Sequence, residues 1–540
     1  MGAPWDCKLL GDFLEFDAAE YPDKVAVVHK DQRTTFEELN ENVDRLAKSF
    51  LKLGVKKGDK IITIIPPRPE WIYIALAGAK IGAVTVSLDW RDELRDFEYQ
   101  IPLVKPSTII NMNQFLSRNY SRIIDQIKDQ FTTVKNYISI AGTYLPESIA
   151  FEDLISKPRD EMNRELEERK TEVQEDDPVL CMYTTGTTGF PKPVILTHKS
   201  IRKCIEYTAK YIGMNPEDVA IGNMPVSHAA GAVHAEMGSI ILGNKLVMLE
   251  KYDTEDTLKL IEQEKVTFVG WPPTVYIMVL NLRNFNQYDL SSIRMAAAAA
   301  GFTSPELAQK IMDNIIPNLY NGWGMTEISG LGTLARPEDG IEKVKNTIGK
   351  PMSPEIKIKL VDEKGEVVSE GEVGEIMVKS PTLFKEYYTM PEKTAESFDG
   401  DGYFHTGDRA KLDEDGYLMF VDRIKEMYKS GGYNVSPLEI EEFLMSHPDI
   451  LLAGVIAVPD ERWGEVGRVY YQKVPGSSIT DKDVEEYCRK HLADYKIPKE
   501  FKWRNLPIIG AGKVSKKKLR EELEKELAKE ERLKRIREQR

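Results

Sequence analysis

Residues 183–193 read YTTGTTGFPKP: four threonines, two glycines, two prolines and one lysine in eleven positions. Neither an amphipathic helix nor a packed strand has this composition. Glycines let backbone N–H groups approach an anion, threonine hydroxyls add donors, and a lysine adds charge. Thr184, Thr185, Gly186, Thr187, Thr188, Gly189 and Lys192 therefore describe a phosphate cradle. The spacing is not that of the common P-loop, which needs a lysine directly after its second glycine. The run GAGKV near the end of the chain fails that pattern too, because Pro507 stands at its first position and Val514 follows Lys513.

Other segments gather reactive groups. NGWGMTE (321–327) puts an aromatic ring, a hydroxyl and a carboxylate within seven residues, and YFHTGD ends on Asp408. A lone Asp after Gly is otherwise a common turn residue. A lone histidine such as His228 in PVSHAAG is more often a satisfied core residue than a functional one.

These residues need elements to hold them. The apolar run 179–182 before the cradle suits a buried strand, and after it a short strand leads into an amphipathic helix ending near Gly213. Thr35 starts a helix whose Leu39, Val43, Leu46, Ala47 and Phe50 share one face. Gly54 ends it, and a strand resumes at Lys60. Helix–strand alternation of this kind continues to about residue 350 and predicts layered α/β structure. Residues 157–177 predict an exposed helix or linker. From about Glu355, short alternating runs (EIKIKLVD, EIMVKS) predict a small β-rich subdomain. A boundary near 422–425 divides an N-terminal domain, 1–422, from a small α+β C-terminal domain, 423–540, that closes on a charged helix.

At 540 residues the chain exceeds one ordinary core. A net charge of −14, from 73 basic and 87 acidic residues, argues against nucleic acid as the main partner. Four scattered cysteines without C-x-x-C spacing fit free thiols in a reducing, cytoplasmic setting. No secretory signal is expected, because Asp6, Lys8 and Asp12 interrupt any apolar run. The apolar stretch 61–88 is broken by PPRPE and Lys80, so it reads as strand, loop and buried helix and not as a membrane span.

Taken in order, YTTGTTGFPKP, PVSHAAG, WGMTE, YFHTGD, DRIKEMYKSGGYNVSPLEIE and PIIGAGK resemble the motifs of the acyl-adenylate-forming superfamily: acyl- and aryl-CoA synthetases, luciferase and adenylation domains. The resemblance spans nearly the whole chain. It implies activation of a carboxylate by ATP and Mg²⁺ to acyl-AMP, then transfer to coenzyme A. The loop would grip pyrophosphate, although Pro193 follows Lys192 where the family usually has glycine. Asn321 and Gly322 would line the adenine edge, and Trp323, replacing the usual tyrosine, would stack on the base. Thr326 would bond the α-phosphate, Glu327 would hold Mg²⁺, and Asp408 would take both ribose hydroxyls. Gly301, in AAAAAGFTSP, would present backbone to the base, with Phe302 in place of the family's proline.

The same resemblance gives Lys513 to the first half-reaction and Lys425 to the hinge. After rotation Lys429, Gly431 and Gly432 would serve the CoA site, with Arg423 reaching ribose or phosphate. His228 would gate the carboxylate site. The acyl pocket would be lined by Ala229, Gly231, Trp271, Ala299 and Gly324, the last leaving room that a tryptophan closes in acetate enzymes. The implied substrate is a carboxylate larger than acetate: medium-chain, branched, alicyclic or aromatic. Loading of a carrier protein, running the ligase in reverse to make ATP, and a non-catalytic nucleotide-binding role are the alternatives. The oligomeric state stays open, a homodimer included.

Overall fold

A computed structural model describes residues 4–142, 147–184, 191–424, 426–430, 433–460, 462–509 and 513–526. Thr185, Gly186, Thr187, Thr188 and Gly189 of the loop, Lys425 of the hinge, Gly431 and Gly432 lie outside the described residues, as does most of the charged C-terminal run.

Two large sheets form the N-terminal part. One runs, edge to edge, through Glu386–Tyr387, Lys192–Thr197, Pro178–Thr184, Val84–Ser87, Lys60–Ile64, Thr108–Met112, Asn136–Ile140 and Ile149–Ala150. The strand Pro178–Thr184 pairs parallel with Val84–Ser87 and antiparallel with Lys192–Thr197, forming a hairpin whose paired ends, Thr184 and Lys192, flank the phosphate-cradle segment in the chain. Thr184 and Lys192 face each other across that hairpin, and the Thr184 hydroxyl donates to the Lys192 carbonyl at 3.5 Å.

The second sheet contains, as adjacent parallel strands, Phe268–Trp271, Met295–Ala298 and Leu319–Met325, after which Gly330–Ala335 returns antiparallel. Strands covered on both faces read as continuous apolar runs, and Met295–Ala298 is buried at every position. Helices fill the space between and around the sheets. Thr35 caps Phe36–Lys52 through a reciprocal capping box with Glu38, and Leu39, Val43, Leu46, Ala47 and Phe50 are wholly buried. The helix His198–Ile212 follows the hairpin directly and stops at Gly213, whose φ of 73° lies in the left-handed region. The region 157–177 contains the charged helix Asn163–Glu172.

The β-rich region is an antiparallel four-stranded sheet, Lys357–Val361, Gly374–Lys379, Phe404–Leu412 and Leu418–Arg423. It carries Asp408 and Arg423 as register partners on neighbouring strands. Beyond it, the long hairpin of Ile450–Asp460 and Gly464–Lys473 packs on the helix Pro437–Met445, giving the small α+β unit. Among the described residues, no helix is long and apolar enough to cross a membrane.

Candidate active site

One cavity of about 570 Å³ lies where the two large sheets, the four-stranded sheet and Lys513 converge. Its polar end is lined by Thr184, Lys192, Thr326, Glu327, Tyr387, Asp408, Arg423 and Lys513. An apolar arm continues past His228, Ala229 and Trp271 to Ile205, Ile212, Met214, Ala220, Leu242 and Phe268. Segments up to 329 positions apart in the chain, Thr184 and Lys513, thus meet around one space.

Thr326 and Glu327 sit in a short 3₁₀ turn, Thr326–Ile328, at the end of the strand Leu319–Met325. Glu327 is 5% exposed, and burial pushes its carboxyl above the usual range. The Tyr387 hydroxyl donates to Glu327 Oε1 at 2.9 Å, and the Lys192 ammonium lies 3.8 Å from the centre of the Tyr387 ring. Among the described residues, no group of three or more His, Cys, Asp and Glu side chains is gathered for a metal ion. A divalent cation at Glu327 would therefore share one protein carboxylate with phosphates and water, which is ordinary for Mg²⁺. The disfavoured charge on Glu327 fits a site completed by such a cation.

Asp408 is buried, and both its oxygens have partners. Arg423 Nε lies 2.9 Å from Oδ1, and Trp323 Nε1 donates to Oδ2 at 2.7 Å. Lys513 keeps accessible surface by opening into the cavity. The protein packed round it, and then the Arg423 charge, push its ammonium down to about 8. His228 receives the Ala230 N–H on Nδ1 at 3.1 Å, which leaves Nε2 as the donor of the neutral ring. Burial, reinforced by Lys513, pushes His228 down to about 4.

Several expected positions differ. The Asn321 side chain does not line the cavity; its amide donates to the carbonyls of Val344 (3.0 Å) and Thr347 (3.1 Å) and ties the strand to the following turn. Gly322 is likewise not part of the lining. Trp323 is 5% exposed and stands behind Asp408, so its ring is not an open stacking platform. Ala299 and Ala300 form the wall instead of Gly301, with Ala300 at a φ of 63°. Phe302 packs towards Phe420, ring centres 6.3 Å apart. Gly231 does not line the acyl space; a Cβ there would overlap the Pro225 carbonyl, so it serves close packing. The Gly324 backbone borders the cavity, but its Cβ would overlap the Gly330 carbonyl oxygen of the neighbouring strand. The close approach of the two strands therefore accounts for a glycine at this position. Lys429, expected at the site only after rotation of the C-terminal domain, is exposed on Tyr428–Ser430 and does not line the cavity in this arrangement.

Residues 14–388 match the AMP-binding enzyme family, and residues 439–513 match the AMP-binding enzyme C-terminal domain. The chain belongs to the AMP-binding enzyme family. It is 31% identical over 544 residues to the mitochondrial medium-chain acyl-CoA ligase ACSF2 of Danio rerio, covering 97% of this chain and 90% of the relative. It is 30% identical to the long-chain-fatty-acid–CoA ligase of Bacillus subtilis (strain 168), over 96% of this chain and 95% of that one. The solved o-succinylbenzoate coenzyme A synthetase of Bacillus subtilis, in complex with ATP and magnesium ion, superposes with a TM-score of 0.79 at 26% identity, covering 94% and 99%. The protein is a carboxylate–CoA ligase of the adenylate-forming superfamily.

The residues that sequence reasoning missed in this AMP-binding enzyme are those without a motif. Tyr387 reaches Glu327 from the edge strand Glu386–Tyr387, 60 positions away. His234 lines the arm from the π-helix Ala230–Met237, and burial pushes it down to about 4. Ile205 and Ile212 were legible only as the apolar face of an amphipathic helix. His234 carried no signal in the sequence; the π-helix that brings it to the cavity begins two residues after His228.

Proposed function

We propose that this ligase activates a straight-chain carboxylic acid longer than acetate and transfers it to coenzyme A through an acyl-AMP. The observation that carries this reading is the continuity of one cavity, with Lys513, Asp408 and Glu327 at one end and an apolar arm at the other. The names of the medium-chain and long-chain relatives agree with it.

In this reading Thr184, Lys192 and the loop 185–189 hold the β- and γ-phosphates, Thr326 the α-phosphate, and Asp408 the ribose. Ala299 and Ala300 pack on the base. Bound Mg²⁺ would neutralise phosphate charge at Glu327. The substrate carboxylate enters beside the His228 Nε2–H, which donates to one oxygen. Its other oxygen attacks the α-phosphorus, and the bond to pyrophosphate breaks. Lys513 lies between the two anions and offsets the charge that accumulates there, a term that preorganised cations supply strongly in a site sheltered from water. Neutral His228 orients without attracting a proton from the acid.

The residues 423–540 then rotate about Lys425. Lys513 withdraws, and Lys429 with Gly431 and Gly432 brings the thiol path to the acyl-AMP, which stays shielded from water. The division 1–422 and 423–540 lies between the two family matches, 14–388 and 439–513.

The test is an acid panel from acetate to palmitate, with benzoate and cyclohexane carboxylate, offered with ATP, Mg²⁺ and either CoA or a carrier protein. Highest kcat/KM for straight chains of intermediate length with CoA is expected. Preference for acetate or aromatic acids, or turnover only with a carrier, would overturn the reading.

A further inference from the structure

Asp408 belongs to the four-stranded sheet, whereas Thr326 and Glu327 end a strand of the nine-stranded one. A nucleotide held at both must find the two walls at a fixed separation. The Trp323–Asp408 hydrogen bond crosses between them at 2.7 Å, three residues before Thr326. We propose that Trp323 is a positioning residue that fixes Asp408 through its indole N–H and so sets how strictly the enzyme recognises the ribose hydroxyls.

The geometry supports this in three ways. Trp323 is 5% exposed and the Arg423 side chain 37% exposed, so the two donors to Asp408 differ in how firmly they are held. Trp323 belongs to the same buried apolar cluster as Ile328 and Leu334, and a Cβ at Gly332 would come within 3.3 Å of its ring. Arg423 closes the last strand before the hinge segment. Each carboxylate oxygen accepts one bond in this arrangement and keeps a second lone-pair site, so two ribose hydroxyls can still be received. A ring without an N–H, or a phenol at a different reach, would leave Oδ2 of a buried carboxylate unpartnered, which is costly and invites another rotamer. An indole in this position does two things at once: it fills the gap between the sheets and it orients an acceptor.

The inference rests on the reading that Asp408 receives ribose, so the experiment separates the two. Dissociation constants of ATP, 2′-deoxy-ATP and 3′-deoxy-ATP are measured by calorimetry for the wild type, Trp323→Phe, Trp323→Tyr and Asp408→Ala. The wild type should prefer ATP over at least one deoxy analogue. Asp408→Ala should lose that preference. Trp323→Phe should lower it by about tenfold, the change that one hydrogen bond to a charged group is worth, with the affinity for the deoxy analogue itself nearly unchanged. A void beside the smaller phenyl ring would weaken all three nucleotides equally and leave the ratio alone. Trp323→Tyr, which refills part of that gap without the indole N–H, should show the same reduced ratio and serves if the Phe variant does not fold. A wild-type ratio in whichever Trp323 variant folds, with the Asp408→Ala ratio abolished, overturns the role of Trp323. An unchanged ratio in Asp408→Ala overturns the ribose reading itself.

Discussion

The two ends of the cavity are built on opposite plans. At the polar end both carboxylates are fixed by other groups, Glu327 by Tyr387 and Asp408 by Trp323 and Arg423, and where the arm begins the Ala230 N–H holds His228. In the arm, Ile205, Ile212, Met214, Ala220 and Leu242 present surface without direction. Charge developing at a single phosphorus needs preorganised donors, whereas an alkyl chain needs only volume and dryness. Substitutions at the first end should therefore change rate for every acid, and substitutions in the second should sort acids by length.

Lys513→Ala should give the largest effect, a loss of ~2–4 kcal/mol of transition-state stabilisation in acyl-AMP formation. Thioester formation from supplied acyl-AMP should persist, and single-turnover assays of each half-reaction separate them. A parallel fall in both would break the comparison, because the lysine would then serve more than the polar end. Ala235→Phe, placed in the arm, should cost long acids about 1–3 kcal/mol in kcat/KM and spare butanoate. Ala235 lines the cavity and retains accessible surface, so the ring enters the arm. A uniform loss over all lengths would remove the arm from the acyl path.

Gly324→Ala is expected to lower stability by ~1–3 kcal/mol through forced separation of two strands, read as a shift in denaturant midpoint. Altered chain-length preference at unchanged stability would contradict the strand-approach assignment. Tyr387→Phe removes one hydrogen bond from Glu327 and should cost ~0.5–1.5 kcal/mol, appearing as a higher Mg²⁺ requirement for every acid alike.

The pH profile offers a milder probe. Lys513 is pushed down to about 8, so its cation is lost as pH rises through that value in the free enzyme. The kcat/KM for acyl-AMP formation should fall above about pH 8 by at most tenfold per unit, the slope of one proton. Lys513→Arg should flatten that limb, whatever its absolute rate.

What the sequence made legible follows the same division. Thr326, Glu327, Asp408 and Lys513 were singled out because their motifs resemble the family's, and the structure places all four on the cavity. The buried face of the helix Phe36–Lys52 was legible because its periodicity is local. The directions of Trp323 and Gly324 were not legible for one reason: what a position faces at a strand end depends on register, and the register shifts between these two residues. No local pattern reports such a shift. Asn321 carried a polar group in a motif, yet its partners Val344 and Thr347 belong to a turn more than 20 residues on. The arm was invisible because residues such as Ala220 and Leu242 are indistinguishable from core until the structure leaves a space beside them.

The most direct test is a single-turnover reaction with ATP labelled in its α-phosphate, Mg²⁺ and decanoate, without CoA. The account predicts decanoyl-AMP and an equal amount of pyrophosphate, followed by decanoyl-CoA and AMP when CoA is added. ADP and orthophosphate as products, or no nucleotide cleavage until CoA is present, would contradict it.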